Sequence, residues 1–207
     1  MTRAEASLRR RGALIVVDVQ VDFCPGGALS VPEGDRIVPV LNSYITLFAE
    51  RGCPIFATRD WHPQRTSHFR EFGGVWPIHC VQESEGARFH PDLVLPPGTI
   101  VISKGHTPWE DGYSALQGVT ENGTPLPMLL QRMELDRIYL GGLATDYCVK
   151  ETTLGALQLG FEVTVLADAI AGIDLKEGDC AAALDAMQMR GARLATLEEV
   201  RQSLWKK

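Results

Sequence analysis

Short apolar runs alternate along this chain with amphipathic stretches of helical length. "ALIVVD" (Ala13–Asp18), "PIFATRD" (Pro54–Asp60), "GTIVISKG" (Gly98–Gly105), "RIYLGG" (Arg137–Gly142) and "FEVTVLAD" (Phe161–Asp168) read as strands, with "ARLATL" (Ala192–Leu197) a weaker sixth. Their apolar residues are nearly continuous and often β-branched instead of alternating with polar ones. That pattern predicts strands covered on both faces, as in a parallel sheet.

Between the runs, "GDRIVPVLNSYITLFAERG" (Gly34–Gly52) carries Ile37, Val40, Leu41, Tyr44, Ile45 and Phe48 at helical spacing and stops at a glycine. "PLPMLLQRMEL", "CVKETTLGALQLG" and "KEGDCAAALDAMQMRG" supply three more helices. The alternation predicts a doubly wound α/β fold: a mainly parallel sheet of about six strands flanked by helices, in a single domain over residues 1–207. Two Gly/Pro-rich stretches, Cys24–Gly34 and Trp61–Gly98, break the rhythm. Loops of that length in a compact domain are usually functional.

Four strands finish in an ionisable or reactive group: Asp18, Asp60, Lys104 and, a turn beyond the strand, Cys148. In an open parallel sheet the crevice lies outside the carboxyl ends of the strands, so these distant residues converge there. Each has an ordinary reading as a surface charge or a small core residue; the four together point to chemistry. Of the cysteines, Cys180 lies on an apolar helix face, Cys53 precedes a strand, Cys24 precedes Pro25, and Cys80 follows His79 in a loop. Cys148 alone opens a helix at the productive edge, where backbone N–H groups and the dipole favour a thiolate and could hold an oxyanion. Lys104 would lower the thiol pKa, and Asp18 could take its proton.

"TRDWHPQRTSHF" and "VWPIHC" add a second cluster. Asp60, His62 and His79 could form a facial set of one carboxylate and two imidazoles with open coordination positions. His68 could ligate directly, through water, or simply line the loop. Phe23 and Trp76 flank these features and suit a flat ring or ordinary packing.

Composition narrows the classes further. The chain has 207 residues, 45% of them hydrophobic, and a formal charge of −6 with no basic run, which argues against a nucleic-acid partner. No apolar run approaches the ~20 residues that span a bilayer. The basic residues before Ala13 lead straight into a strand without a cleavage-type ending, arguing against a secretory leader. Five scattered cysteines read as reduced thiols and a cytoplasmic setting.

The motifs "DVQVDF", "RDWHP", "WPIHC", "SKG" and "GGLATDYCVKETTLGA", in that order, resemble the nicotinamidase/pyrazinamidase branch of the isochorismatase-like hydrolases over most of the chain. The resemblance implies Cys148 as nucleophile, Asp18 as proton carrier and Lys104 as third member of the triad. It implies Asp60, His62 and His79 as ligands of one divalent ion, zinc before iron or manganese, with His68 a direct or water-mediated contact. It further implies a cis peptide between Leu143 and Ala144, Ala144 and Cys148 N–H groups as oxyanion donors, and Phe23 and Trp76 as ring-packing aromatics. The implied activity is hydrolysis of a small aromatic amide, nicotinamide and with it pyrazinamide, in NAD salvage. A homo-oligomer stays open. Val21 departs from the pattern, which usually has a polar residue there; any bracing by that residue must come from elsewhere. Two rivals remain. One is another cysteine amidase of the same scaffold, whose relatives generally lack the Asp60/His62/His79 set. The other is a non-catalytic module with a closed metal site that includes Cys80.

Overall fold

The computed structural model describes residues 12–205. The basic stretch weighed against a secretory leader lies mostly outside these. In β1 (Gly12–Val17), Leu14 and Val16 face one side of the sheet and Ala13, Ile15 and Val17 the other, all fully buried. That two-sided burial explains why the run is continuously apolar. The remaining strands are β2 (Ile55–Asp60), β3 (Ile100–Lys104), β4 (Arg137–Leu143), β5 (Glu162–Ala171) and β6 (Arg193–Ala195). All pair in parallel, as the continuous apolar runs predict, and the structure sets their order as β3-β2-β1-β4-β5-β6.

The helices are α1 (Val38–Glu50), α2 (Leu126–Arg132), α3 (Lys150–Gln158), α4 (Asp179–Met189) and α5 (Leu197–Trp205). Leu41, Tyr44 and Phe48 of α1 and Val200 of α5 join the core on one face of the sheet. Leu126 and Leu130 of α2, Ala156 of α3 and Met187 of α4 join the core on the other. The first predicted helix begins as a 3₁₀ turn over Gly34–Ile37 before α1 takes over, with Pro39 in its first turn, where a missing N–H costs nothing. The sequence reading did not anticipate α5. Its start is tied by Thr196, whose N–H and hydroxyl both donate to Glu199 Oε2, at 2.8 and 3.0 Å. Among the described residues no helix is long and apolar enough to cross a membrane.

The winding reverses between β1 and β4, which are neighbours in the sheet although two strands separate them in sequence. The crevice expected at such a reversal is bounded by the residues just after those two strands. Gly142 near the end of β4 makes the approach possible. Its φ is +131°, and a Cβ there would lie 2.0 Å from the carbonyl oxygen of Val17.

Candidate active site

Asp18 follows β1 directly, with φ of 50°, and is fully buried. Thr58 of β2, also buried, donates its hydroxyl to Asp18 Oδ1 at 2.6 Å. Lys104, the last residue of β3, is buried among four partners. Its Nζ lies 2.7 Å from Asp18 Oδ2, pairs with Asp60 Oδ1, donates to the Gly112 carbonyl at 2.6 Å and sits 3.4 Å from Cys148 Sγ. The structure thus brings the four strand-end residues to one point.

Cys148 does not open its helix, as the sequence suggested. The coil starts three residues earlier, as a π-helical turn over Thr145–Val149 that runs into α3. Asp146 anchors this turn by accepting the N–H groups of Ile173 and Asp174 at 3.0 and 2.8 Å. The Leu143–Ala144 peptide is cis. Ala144 and Cys148 stand at the start of the coil, where backbone N–H groups have no intrahelical acceptor.

The electrostatics correct a second expectation. The sequence suggested a thiolate favoured by Lys104 and the helix terminus. Instead, burial pushes the Cys148 thiol well above its ordinary range; Lys104 works against this, while the carboxylates of Asp18 and Asp60 add to it. Lys104 cannot prevail because its charge is already shared between two carboxylates. For Lys104 itself burial opposes the ammonium, but Asp18 and Asp60 outweigh it and hold the group well above its usual pKa. Asp18 is raised, chiefly by burial. Burial would also raise Asp60, yet Lys104 and the facing histidines hold that carboxyl below its ordinary range. The resting arrangement is therefore a neutral thiol beside a carboxylate of raised basicity, suited to passing one proton between them.

On the other side of Asp60 lie the histidines. Asp60 Oδ2 is 3.7 Å from His62 Nε2 and 3.9 Å from His79 Nε2. His62, His68 and His79 each bring one ring nitrogen to within 4.8 Å of the others. Each is oriented through Nδ1: His62 to Gly105 O at 3.0 Å, His79 to Pro77 O at 2.8 Å, and His68 to Asp111 Oδ1 at 3.3 Å. A carbonyl or carboxylate that accepts a hydrogen bond from Nδ1–H keeps the proton on that nitrogen and leaves the lone pair on Nε2. His62 Nε2 is buried with no hydrogen-bond partner. Burial lowers His68 and takes His79 down to about 4, which keeps both rings neutral. Three imidazoles converging beside a carboxylate, one with an orphaned buried nitrogen, are a donor set that fits a divalent ion. Gly105 allows the packing: its φ is +61°, and a Cβ there would lie 2.5 Å from the His62 ring.

Asp18, Asp60 and Cys148 also cluster within 4.8 Å, but the Lys104 ammonium already serves as their cation. Cys80 takes no part in either cluster; its N–H donates to Asp22 Oδ2 at 2.7 Å. Phe23 and Trp76 both reach the histidines. The Phe23 ring lies 5.5 Å from that of His79, and the Trp76 ring 6.5 Å from that of His68.

Several supporting residues escaped the sequence reading. Trp76 donates its indole N–H to the Tyr113 hydroxyl at 2.7 Å, and its ring meets Tyr147 edge-on at 4.9 Å. Gln20 supplies the bracing questioned at Val21. Its amide accepts the Asp60 N–H and donates to the Asp60 carbonyl, both at 2.8 Å, and donates to Ala87 O at 2.9 Å. Gln20 and Thr58 fall two residues from strand-end carboxylates, a spacing that could have marked them.

A family model described as the isochorismatase domain matches residues 12–199. A nicotinamidase of Escherichia coli K12 is 43% identical over 206 residues, covering 90% of this chain and 95% of that protein. A nicotinamidase/pyrazinamidase of Mycobacterium tuberculosis is 38% identical, covering 78% of this chain and 87% of the other. Among solved structures, a pyrazinamidase of Pyrococcus horikoshii in complex with zinc superposes with a TM-score of 0.83 at 48% identity, covering 90% of this chain and 99% of that one.

Proposed function

Because this chain belongs to the isochorismatase family, we propose that it is a metal-dependent amidase converting nicotinamide to nicotinate and ammonia, with pyrazinamide as a further substrate, in NAD salvage. One observation supports this above the rest: a buried thiol, a buried carboxylate and a buried lysine share Asp60 with a convergent histidine cluster. The cluster favours this reading over an amidase that needs no ion.

Asp60, His62 and His79, with His68 beside them, would hold the ion, zinc in preference to iron or manganese. When bound, it supplies an anchor for the pyridine nitrogen and so fixes the ring. Phe23 and Trp76 pack the ring, and the carboxamide lies over Cys148. Asp18 takes the thiol proton as Sγ attacks the carbonyl carbon. The N–H groups of Ala144 and Cys148 stabilise the tetrahedral oxyanion. Lys104 holds Asp18 in place and compensates its charge. Asp18 then gives its proton to the departing nitrogen, which leaves as ammonia. A water, deprotonated by Asp18, attacks the thioester; nicotinate leaves and Sγ regains the proton from Asp18.

The test is ammonia release from nicotinamide by the unmodified protein and by Cys148→Ala, with zinc content measured on both. The expected result is loss of turnover, to below about one part in 1,000, with zinc retained. Full activity in the alanine variant would end the proposal.

A further inference from the structure

One segment, between β3 and the 3₁₀ turn at Ala115–Gln117, reaches both the lysine and two of the histidines of the site. Gly105 O holds His62 Nδ1, Asp111 Oδ1 lies 3.3 Å from His68 Nδ1, and Gly112 O accepts from Lys104. Pro108 O fixes the segment to the histidine loop by accepting the Ser67 N–H at 2.9 Å and the Thr66 and Ser67 hydroxyls at 3.1 Å. Three of these supports are backbone carbonyls, which substitution does not remove. Asp111 is the exception, a support made by a side chain that is 65% exposed.

We infer that Asp111 is a positioning residue for the metal site, acting through His68. His68 stacks on His62 with ring centroids 4.6 Å apart, so ring planarity alone leaves open which edge faces the cluster. The Asp111 oxygen settles this by accepting a hydrogen bond from Nδ1–H, which leaves the Nε2 lone pair for the ion. A carboxylate at the far nitrogen also makes an imidazole a better donor. Buried Gly105 and Gly112 anchor the two ends of the segment, while between them it carries Trp109 at 83% exposure and the exposed Asp111. What recommends this segment is the convergence of its polar atoms on the site. This inference rests on the metal-dependent reading above, and its test separates the two.

Zinc affinity is measured by competition with a chromogenic chelator for the unmodified protein, Asp111→Ala, Asp111→Asn, His68→Ala and the double variant His68→Ala/Asp111→Ala. Removal of a residue that orients a ligand typically weakens metal binding 10–100-fold; the exposure of Asp111 puts the expected loss in Asp111→Ala at about 10-fold. Asp111→Asn keeps an acceptor and should recover most of it. In the double variant the Asp111 change should add nothing to the His68 loss, because its route is already gone. Three results would each overturn the inference. These are a zinc affinity for Asp111→Ala within twofold of the unmodified protein, an asparagine variant as weak as the alanine one, or additive losses in the double variant. If the unmodified protein holds zinc but leaves nicotinamide intact, the proposed substrate fails and the Asp111 comparison still stands.

Discussion

Replacing Lys104 with methionine isolates the electrostatic core of the site. The ammonium lies 2.7 Å from Asp18 Oδ2, pairs with Asp60 Oδ1 and donates to Gly112 O at 2.6 Å, all without access to water. At 2.7 Å and an effective dielectric constant of about 20, attraction to one carboxylate alone is about 6 kcal/mol before desolvation. Desolvation offsets most of that in the intact pair. Methionine, however, leaves two buried carboxylates facing each other with no cation, and breaking such a pair costs about 3–5 kcal/mol. The assay is urea unfolding at pH 7.5 in the presence of EDTA, so that no ion compensates. With an m-value of about 2 kcal/mol per molar, the midpoint should fall by about 1.5–2.5 M without a change in slope. Adding Asp18→Asn removes one of the stranded charges and should restore about 1–3 kcal/mol, although that substitution alone destabilises the protein. A Lys104→Met midpoint within about 0.3 M of the unmodified protein would refute the reasoning, given the slope above. So would a double variant no more stable than the single one.

Two further results are expected. His79 has its pKa lowered to about 4 by burial, so the unfolded chain binds that proton first as pH falls from about 6.5, and the folded state loses stability until both forms are protonated. In metal-free protein the stability advantage over His79→Gln should therefore shrink by roughly 3 kcal/mol between pH 7 and pH 4; a difference independent of pH would contradict the burial of that ring. Gln20→Leu should weaken zinc binding about 10-fold, by loosening the backbone of Asp60, while Val21→Asn should leave it unchanged within about twofold. Equal effects of the two, measured by the same chelator competition, would place the bracing at Val21 after all.

The parallel sheet and the convergence of Asp18, Asp60, Lys104 and Cys148 were legible because each follows from local facts. Continuous β-branched runs mark covered parallel strands, and residues just past such strands share one edge. The histidine cluster was legible as a set of ligand types, since Asp60 and His62 are separated by one residue and His79 lies in the same long loop. The supports were not. Thr58, Gln20, Tyr113 and Asp111 act only across contacts between elements, and no periodicity records which hydroxyl or amide will meet which carboxylate. The state of the thiol was misjudged for a related reason: a helix start and a nearby lysine are visible in sequence, whereas the two carboxylates that absorb the lysine's charge are a matter of packing. Helix α5 was missed although its signals are local: Leu197, Val200 and Leu204 fall at helical spacing, and Thr196 and Glu199 have the spacing of a cap.

Asp60 divides its two oxygens between a lysine and a pair of imidazoles. A change made on either side is therefore transmitted to the other. Exchanging one ion for a larger or softer one would drag on the same carboxylate that steadies the ammonium, and with it the proton traffic at the sulfur. If the proposed mechanism holds, efforts to retune metal preference should accordingly alter the rate of acylation even when substrate docking is untouched, and variants selected for faster chemistry should return with changed metal retention.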